Sequence, residues 1–439
     1  MKIKALLFYF GCIKITIESK NKGRSEKNNI RRIIMTIQYV QGKPLFTYKD
    51  KHKKQYPYLT EDIETDVCII GGGVSGAIAA YYFSKNKVNT VVLERKRIAH
   101  LSTGITTALL QYELDDNLAD LLQYTTKENV LRSYDLGLKA LDEIEEFINT
   151  YGNECEYNKR DALLYTSQKD EVKDIKAEFD YRKEHGIDVQ YIDESSNKYS
   201  LDIKAGIVSK NGGAEVDPYK YTNQLLEVAC KMGARVFENT EVTDLIHHED
   251  YIEIITEFGH KVRAKKVIAA TGYNTKLFTD RNFGTKTTTF NIVTKPISDF
   301  SGWPDRILIR DNCDPYNYLR TTEDNRIIMG GEDVGFLPDI FDGNTAAEKY
   351  AVLESRLKAM VPEIKDIEAE FKYCGAFAST CDNLGFVGPD KKHRNLWYLL
   401  GYGANGILFA ILGAMMLTEL YNGKEDKDMK LFKVDRFDN

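Results

Sequence analysis

The sequence has little proline, no closely spaced cysteine pair and no long apolar run, and each absence excludes a class of protein. Its 439 residues contain only 9 prolines beside 31 glycines, which excludes collagen-like and proline-rich disordered chains. The seven cysteines form no CxxC pair, so we expect no disulfide framework and a cytoplasmic location. No run approaches the roughly 18 to 20 apolar residues that span a bilayer, so we expect no transmembrane segment.

Charge is nearly balanced over the whole chain but not along it. The 60 Lys and Arg residues and 66 Asp and Glu residues give a formal net charge of -6. The first 60 residues hold 14 of the basic side chains and 3 of the acidic ones, so the rest of the chain is acidic. An acidic body argues against a nucleic-acid partner. None of the seven histidines has the spacing of a ligand set, and we predict no metal site.

Residues 1–60 are predicted to be an N-terminal extension. The start of the chain is similar to a signal peptide, but Lys14 interrupts the apolar run and no cleavage signal follows. We therefore expect that residues 1–34 come from an over-long gene assignment and that translation begins at Met35. The codons of Arg31 and Arg32 can encode a bacterial ribosome-binding sequence just ahead of that methionine.

A strand, a glycine-rich turn and a helix follow one another after this extension. The apolar run Val67–Ile70 ends in Gly71–Gly76, a helical segment comes next, and the following strand ends at Glu94. This order is the dinucleotide-binding fingerprint. Its first glycine permits the tight turn, Gly73 lets the backbone approach a diphosphate, and Gly76 allows close packing of helix and strand. Glu94 would accept hydrogen bonds from ribose hydroxyls. The fingerprint predicts an ADP moiety and does not separate NAD from FAD.

The segment after Glu94 resembles the flavin loop of the D-amino-acid oxidase family of FAD-dependent oxidoreductases. Ile98, Ala99 and Thr103-Gly104 match that loop, and the similarity extends from about residue 62 to residue 423. Gly401–Gly406 would be a second GxGxxG if taken literally. Too little chain follows it to build another nucleotide domain, so the resemblance assigns this loop and the helix behind it to the flavin pyrimidine.

The resemblance implies an FAD site built from widely separated segments, with the flavin held non-covalently. Cys374 is a weaker candidate for covalent attachment, since some relatives link the flavin to a cysteine near this position. The implied FAD contacts are Gly71, Gly73, Val74, Ser75, Gly76, Glu94, Arg95, Thr103, Gly104, Thr106, Thr107, Ala108, Val242, Ala270, Thr271, Gly272, Gly401, Gly403, Asn405, Gly406 and Ile407.

The family also implies an α/β fold with two domains. We expect a Rossmann-like FAD-binding domain of the glutathione-reductase type and an inserted substrate domain with a mixed or antiparallel sheet. The FAD-binding domain is predicted from residues 61–112, 205–275 and 370–425. The substrate domain is predicted from residues 113–204 and 276–369, and residues 426–439 form a C-terminal tail.

The expected activity is oxidation of the C–N bond of a small amine or amino acid, by hydride transfer to flavin N5. Phe377 stands where glycine-oxidase-like relatives have a carboxylate-binding arginine, so a simple α-amino acid substrate is in doubt. The candidate substrate contacts are instead Tyr318, Arg320 and Lys295. Arg320 is preferred because a guanidinium binds a carboxylate through two parallel hydrogen bonds. For each of the three, the alternative is a surface ion pair.

Several alternatives stay open at the level of sequence. The strand Arg326–Gly330 aligns with one that carries an oxygen-promoting lysine in sarcosine-oxidase-like relatives, and apolar residues occupy that part here. The electron acceptor is thus either O2 or another compound, with a dehydrogenase favoured. A non-catalytic or electron-transfer flavoprotein of the same fold is a second possibility. An FAD-dependent RNA-modifying protein is a third, although it would need a basic face.

Overall fold

The computed structural model describes residues 39–49, 55–336 and 344–438. The expected translation start at Met35 lies outside these residues. In the described segments the strands are β1 (Val40–Gly42), β2 (Ile63–Ile70), β3 (Thr90–Leu93), β4 (Leu109–Gln111), β5 (Asn158–Thr166), β6 (Val189–Asp193), β7 (Ala205–Glu215), β8 (Arg235–Phe237), β9 (Val242–His247), β10 (Ile252–Thr256), β11 (Lys261–Ala269), β12 (Thr285–Thr294), β13 (Leu308–Asp311), β14 (Tyr318–Thr321), β15 (Ile327–Gly335), β16 (Ala369–Ser379), β17 (Phe386–Pro389) and β18 (Leu396–Leu400). The α-helices are α1 (Leu45–Lys49), α2 (Val74–Lys85), α3 (Ser102–Ile105), α4 (Leu118–Leu121), α5 (Lys127–Tyr151), α6 (Val172–Glu184), α7 (Pro218–Lys231), α8 (Asn344–Met360), α9 (Gly406–Tyr421) and α10 (Met429–Phe432).

The smaller of two sheets carries the glycine-rich turn. Its order is β17-β18-β11-β2-β3-β8, and β9 and β10 extend it beside β11. The strands from β18 to β8 pair in parallel, as their βαβ crossovers require. Helix α2 packs between α7 and α9, so nine of its twelve residues are buried and it is apolar on every side. The predicted α/β class with a Rossmann-like domain is confirmed.

The larger sheet is mixed and mostly antiparallel. Its order is β1-β16-β12-β15-β14-β13-β5-β7-β4, with β6 paired to β7. Only β13 and β5 run parallel to each other among its pairs in the described residues. Helix α8 packs against β12, β15 and β16, and a separate apolar core lies between them. The other face of these strands is turned toward the smaller sheet and encloses the cavity described below.

Sheet membership indicates where the two domains would divide. Strand β7 pairs with β5 from Asn158 to Thr166 in the larger sheet, although residues from 205 onward were predicted to belong to the FAD-binding domain. The long antiparallel ladder holds β7 there, so the chain returns to the smaller sheet only through α7 and β8. Strand β1 lies in the predicted N-terminal extension, yet it pairs with β16. The domain boundaries stay a proposal, with the division now placed after β7.

The C-terminal segment packs on the body of the protein. Met429, Leu431 and Phe432 of α10 are buried. Arg436 forms an ion pair with Asp382 at 2.7 Å, and both side chains are less than one-tenth exposed. The segment therefore contributes to the core beside β17 and α9.

Candidate active site

A cavity of about 810 Å³ lies between the two sheets. Its wall runs from the glycine-rich turn, past the segment after Glu94, to the inner face of β12, β14 and β16. All of the predicted FAD contacts line it except Gly76, Gly104 and Asn405. The glycine turn, the segment 99–111, Val242, the stretch 270–272 and the loop before α9 thus meet at one place, although the loop begins at Gly401 and the turn at Gly71.

The backbone of the glycine-rich turn requires two of its glycines. Gly71 has a φ of +115°, and a Cβ atom there would lie 2.4 Å from the carbonyl oxygen of Ala270. A Cβ atom on Gly76 would lie 1.9 Å from the carbonyl oxygen of Gly71, so Gly76 brings helix α2 against strand β2 rather than facing the cavity. At Gly73 the space is open apart from the Thr103 Oγ1 atom, which a Cβ would approach to 3.1 Å. The turn is therefore a backbone cradle with room at Gly73.

The N-terminus of α2 faces the cavity and suits an anion. Val74 and Ser75 line the cavity, and the free N–H groups and the dipole of a helix N-terminus attract a diphosphate. The Val74 N–H donates to Thr103 Oγ1 at 3.0 Å. A hydroxyl of the predicted flavin loop thus lies directly at the helix terminus.

Glu94 ends strand β3 in the cavity wall. Its Oε2 atom accepts a hydrogen bond from the Gly72 N–H at 2.7 Å, and its Oε1 atom accepts one from the Lys96 N–H at 2.8 Å. Burial raises the pKa of this carboxyl, while these two N–H groups and Arg95 oppose the rise. Glu94 therefore fixes the turn as well as facing the site that a ribose would occupy.

A second buried acid, which the sequence analysis missed, supports this end of the cavity. Glu238 follows β8 and is 1% exposed. It accepts from the Ile98 N–H at 2.8 Å and from the Tyr56 N–H at 3.1 Å, and it pairs with Arg97 at 2.9 Å. It ties the start of the flavin loop to the edge of the smaller sheet.

The loop before α9 is also shaped by glycine. A Cβ atom on Gly401 would lie 2.1 Å from the carbonyl oxygen of Gly406, and Gly403 has a φ of +74°. Asn405 donates from its side chain to the Glu113 carbonyl at 2.7 Å, so it holds the loop rather than lining the cavity. The Ala404 N–H donates to Asp115 Oδ2 at 3.2 Å. The N-terminus of the sixteen-residue helix α9 thereby faces the same cavity as that of α2.

The inner part of the cavity is walled by polar side chains of the larger sheet. Tyr318 lies across Gly330, where a Cβ atom would come within 2.3 Å of its ring. Its hydroxyl is 2.8 Å from Thr289 Oγ1. Phe377 also lines the wall, so an aromatic ring and not a cation occupies the position of the expected arginine. Burial raises the pKa of Tyr318 well above its usual range.

The structure places the other two candidate substrate contacts away from the cavity. Arg320 is 2% exposed, and its guanidinium donates to the carbonyl oxygens of Thr107, Val216 and Thr321. Lys295 is exposed and pairs with Glu368 at 2.7 Å. Neither side chain lines the cavity wall. Lys295 has the surface ion pair that was its alternative. Arg320 has neither predicted role, because it is buried and binds backbone carbonyl oxygens. Of the three candidates, only Tyr318 lines the cavity.

Several cavity residues escaped the sequence analysis. They come from strands and loops with no recognisable motif, although the alternation of side chains along β12 would have placed two of them on one face. Tyr39, which belongs to the predicted N-terminal extension, reaches the cavity and stacks on Phe336 with ring centroids 5.9 Å apart. The polar residues of the cavity wall that the sequence did not indicate are Asp115, Thr289, Asn291, Arg310 and Asp333.

Cys374 lies on the far side of β16 from the cavity. It is fully buried in the apolar core under α8, whereas the next residue, Gly375, faces Ile105 of the flavin-loop region. In the described segments no group of three or more His, Cys, Asp or Glu side chains is arranged to hold a metal. Among the same residues, no helix is both long and apolar enough to cross a membrane.

Residues 66–420 match the family model described as FAD dependent oxidoreductase, known as DAO. The chain belongs to this family. It is similar to the gamma-glutamylputrescine oxidoreductase of Escherichia coli (strain K12), with 22% identity over 392 residues that cover 87% of this chain and 89% of that protein. It is also similar to the glycine oxidase of Bacillus subtilis (strain 168), with 23% identity over 389 residues, or 84% and 97% of the two chains.

Solved structures agree on the fold. The L-proline dehydrogenase of P. horikoshii superposes with a TM-score of 0.73 at 18% identity, over 86% of this chain and 98% of that one. The family resemblance inferred from the flavin loop and the predicted fold are thus confirmed. The residues present fit the family's cofactor, because a glycine cradle, two helix N-termini and a buried acid converge on one elongated cavity.

Proposed function

We propose that the chain binds FAD non-covalently in this cavity and oxidises the C–N bond of a small amine or amino acid. The observation that carries the proposal is the continuity of the cavity, which joins the dinucleotide turn to the polar inner face of the larger sheet. The family and the names of the relatives support an amine or amino acid as the substrate.

Each part of the wall has a distinct task in this proposal. The amide of Ser75 and the positive end of the α2 dipole would hold the diphosphate, Glu94 the ribose, and the backbone at Val242 the adenine. The loop Gly401–Gly406 and the N-terminus of α9 would face the flavin pyrimidine and favour negative charge there. Cys374 is not used, since it lies on the opposite side of β16.

When bound, FAD supplies an acceptor for the hydride that leaves the carbon next to a neutral substrate nitrogen. The chain's own residues position that carbon and keep water out. Tyr318 and Thr289 form a hydrogen-bonded pair in the wall, and Phe377 closes the side where a carboxylate-binding arginine is expected. The pocket thus selects by shape and hydrogen bonding, without a catalytic triad.

A dehydrogenase that passes electrons to an acceptor other than O2 is the form of the activity we favour. Ile327, Ile328 and Met329 are fully buried, so this part of β15 offers no cation to promote a reaction with oxygen. Comparing the rates of flavin reoxidation by air and by a soluble quinone or dye would decide between the two acceptors.

The test is an anaerobic screen of amines and amino acids with the purified flavoprotein. We expect loss of the visible flavin absorbance with at least one primary or secondary amine. If FAD is bound in stoichiometric amount and no compound of either class reduces it, the proposed activity is refuted and a non-catalytic role for the flavin takes its place.

A further inference from the structure

Asp333 is a carboxylate in the wall of the substrate half of the cavity, and no cation of the described residues is paired with it. It lies on β15 after an irregularity in the pairing with β12, where Glu332 has a φ of +56°. Its Oδ1 atom is buried without a hydrogen-bond partner, while the side chain of Thr289 bonds to the carboxyl. The charges that act on it are those of Asp115 and Glu332, both acidic.

The neighbouring acids have partners, which sets Asp333 apart. Glu332 pairs with Lys349 at 2.8 Å and with Arg356 at 2.7 Å on the α8 side of the sheet. Asp115 accepts hydrogen bonds from the Ala404 N–H and from the Tyr316 hydroxyl. Asp333 is half-buried, and one of its carboxylate oxygens is fully buried. Removing a charge from water without a cation costs free energy, so a charge at Asp333 favours a positively charged group in the cavity.

A second unpaired acceptor lies in the same wall. Asn291 on β12 is 1% exposed, lines the cavity, and has a buried Oδ1 atom with no hydrogen-bond partner. It stands opposite Gly330 on β15, the residue that Tyr318 covers from β14. Buried polar atoms are normally satisfied. An acceptor without a partner in the same wall as a carboxylate without a cation therefore indicates a ligand with several N–H donors.

Among the described residues, one cation of the larger sheet lines the cavity, and the protein already uses part of its guanidinium. Arg310 lines the cavity, but its Nη1 atom donates to the carbonyl oxygens of Leu114 and Asp115, at 2.9 Å and 2.6 Å. Its Nε atom has no partner, and it faces the Asp115 charge. The inner wall therefore offers one partly occupied guanidinium against two carboxylates and an amide oxygen.

We propose that the substrate carries a second, protonated nitrogen, held by Asp333 and Asn291, in addition to the nitrogen next to the carbon that is oxidised. An opposite charge favours the protonated form of an amine, whereas hydride loss requires a neutral nitrogen at the reacting carbon. One nitrogen cannot meet both conditions, so the substrate class is an aliphatic diamine or polyamine. This inference rests on the proposed function, since it describes the substrate of the same site.

The test compares three ligands with the same four-carbon chain: 1,4-diaminobutane, 4-aminobutanoate and 1-aminobutane. They differ only at the fourth carbon, which carries an ammonium group in the first, is the carboxylate carbon in the second and is a methyl group in the third. Calorimetric titration of the FAD-loaded protein should show the diamine binding roughly ten- to hundredfold more tightly than 1-aminobutane, the range for a hydrogen bond to a charged group. The variant Asp333→Asn should lose that advantage while its affinity for 1-aminobutane changes by less than about twofold.

The control is Asp188→Asn, which removes one exposed carboxylate ahead of β6 and should leave all three affinities unchanged. If Asp333→Asn does not fold, Asn291→Asp serves instead, because an added carboxylate should strengthen diamine binding and weaken that of 4-aminobutanoate. Preference of the wild type for 4-aminobutanoate, or equal affinity for all three ligands, overturns the proposal. Tight diamine binding without flavin reduction by any amine would instead keep the cation site and refute the proposed activity.

Discussion

Replacing Asp333 by asparagine should make the FAD-free protein more stable above neutral pH. Burial raises the pKa of Asp333 from 3.8 to about 6. A carboxyl whose pKa is higher in the folded than in the unfolded state stabilises the fold at low pH, and this stabilisation is lost as the pH rises from about 4 to about 6. Each pKa unit corresponds to about 1.4 kcal/mol, so ionised Asp333 destabilises the apoprotein by up to about 3 kcal/mol. Water in the cavity reduces this figure, and we expect a gain of about 1 to 3 kcal/mol on substitution.

The measurement is urea denaturation of the apoprotein, for the wild type, Asp333→Asn and the surface control Asp188→Asn. The gain for Asp333→Asn should be present in full at about pH 8 and should fall below about 1 kcal/mol near pH 4, where the carboxyl is protonated in the folded state and about half protonated in the unfolded state. Asp188→Asn should follow the wild type at both pH values. An Asp333→Asn protein no more stable than the wild type at the higher pH would refute the reasoning, since it would mean that the carboxylate is paired or already neutral in the fold.

Two further substitutions test the flavin site and the role of Arg320. Gly73→Val puts a branched side chain beside Thr103 in the diphosphate path, and overpacking of about 1 to 3 kcal/mol should weaken FAD binding roughly five- to hundredfold. The control Gly335→Val, where a Cβ meets no atom within 4 Å, should keep its flavin. Equal flavin content in the two variants would show that the site is misplaced. Arg320→Lys should lose part of a buried network of three carbonyl contacts, lowering the free energy of unfolding by about 2 to 4 kcal/mol with KM unchanged in the protein that folds. A raised KM for carboxylate substrates at unchanged melting temperature would restore Arg320 as a substrate contact.

The dinucleotide half of the site could be predicted from the sequence because its signals are local. The strand, turn, helix and acid of the fingerprint occupy fewer than 30 consecutive residues, and each has a backbone requirement that only certain residues meet. Gly71 has a left-handed φ, Gly76 leaves no room for a Cβ atom, and Glu94 accepts two main-chain hydrogen bonds. The loop Gly401–Gly406 was identified for the same reason, with its glycines recording close backbone approaches.

The substrate half was decided by tertiary structure. Tyr318 and Arg320 lie two residues apart on β14 and so face the same side of the sheet, but only the first reaches the cavity. Thr107 of the flavin loop and Val216 at the end of β7 cover the second. Nothing in the strand sequence records which segments pack over it, because those segments come from more than a hundred residues away.

The position of Asp333 in the cavity wall also could not be predicted from the sequence. From the sequence alone, its neighbour Glu332 is an equally good candidate for a substrate contact. The irregularity in β15 turns Glu332 toward the cations of α8 and Asp333 toward the cavity. The sequence by itself thus determined the fold class, the family and the nucleotide cradle, since these depend on local backbone geometry. Which charged side chains face the substrate depended on strand pairing and on what covers each face, and only the folded structure decides those.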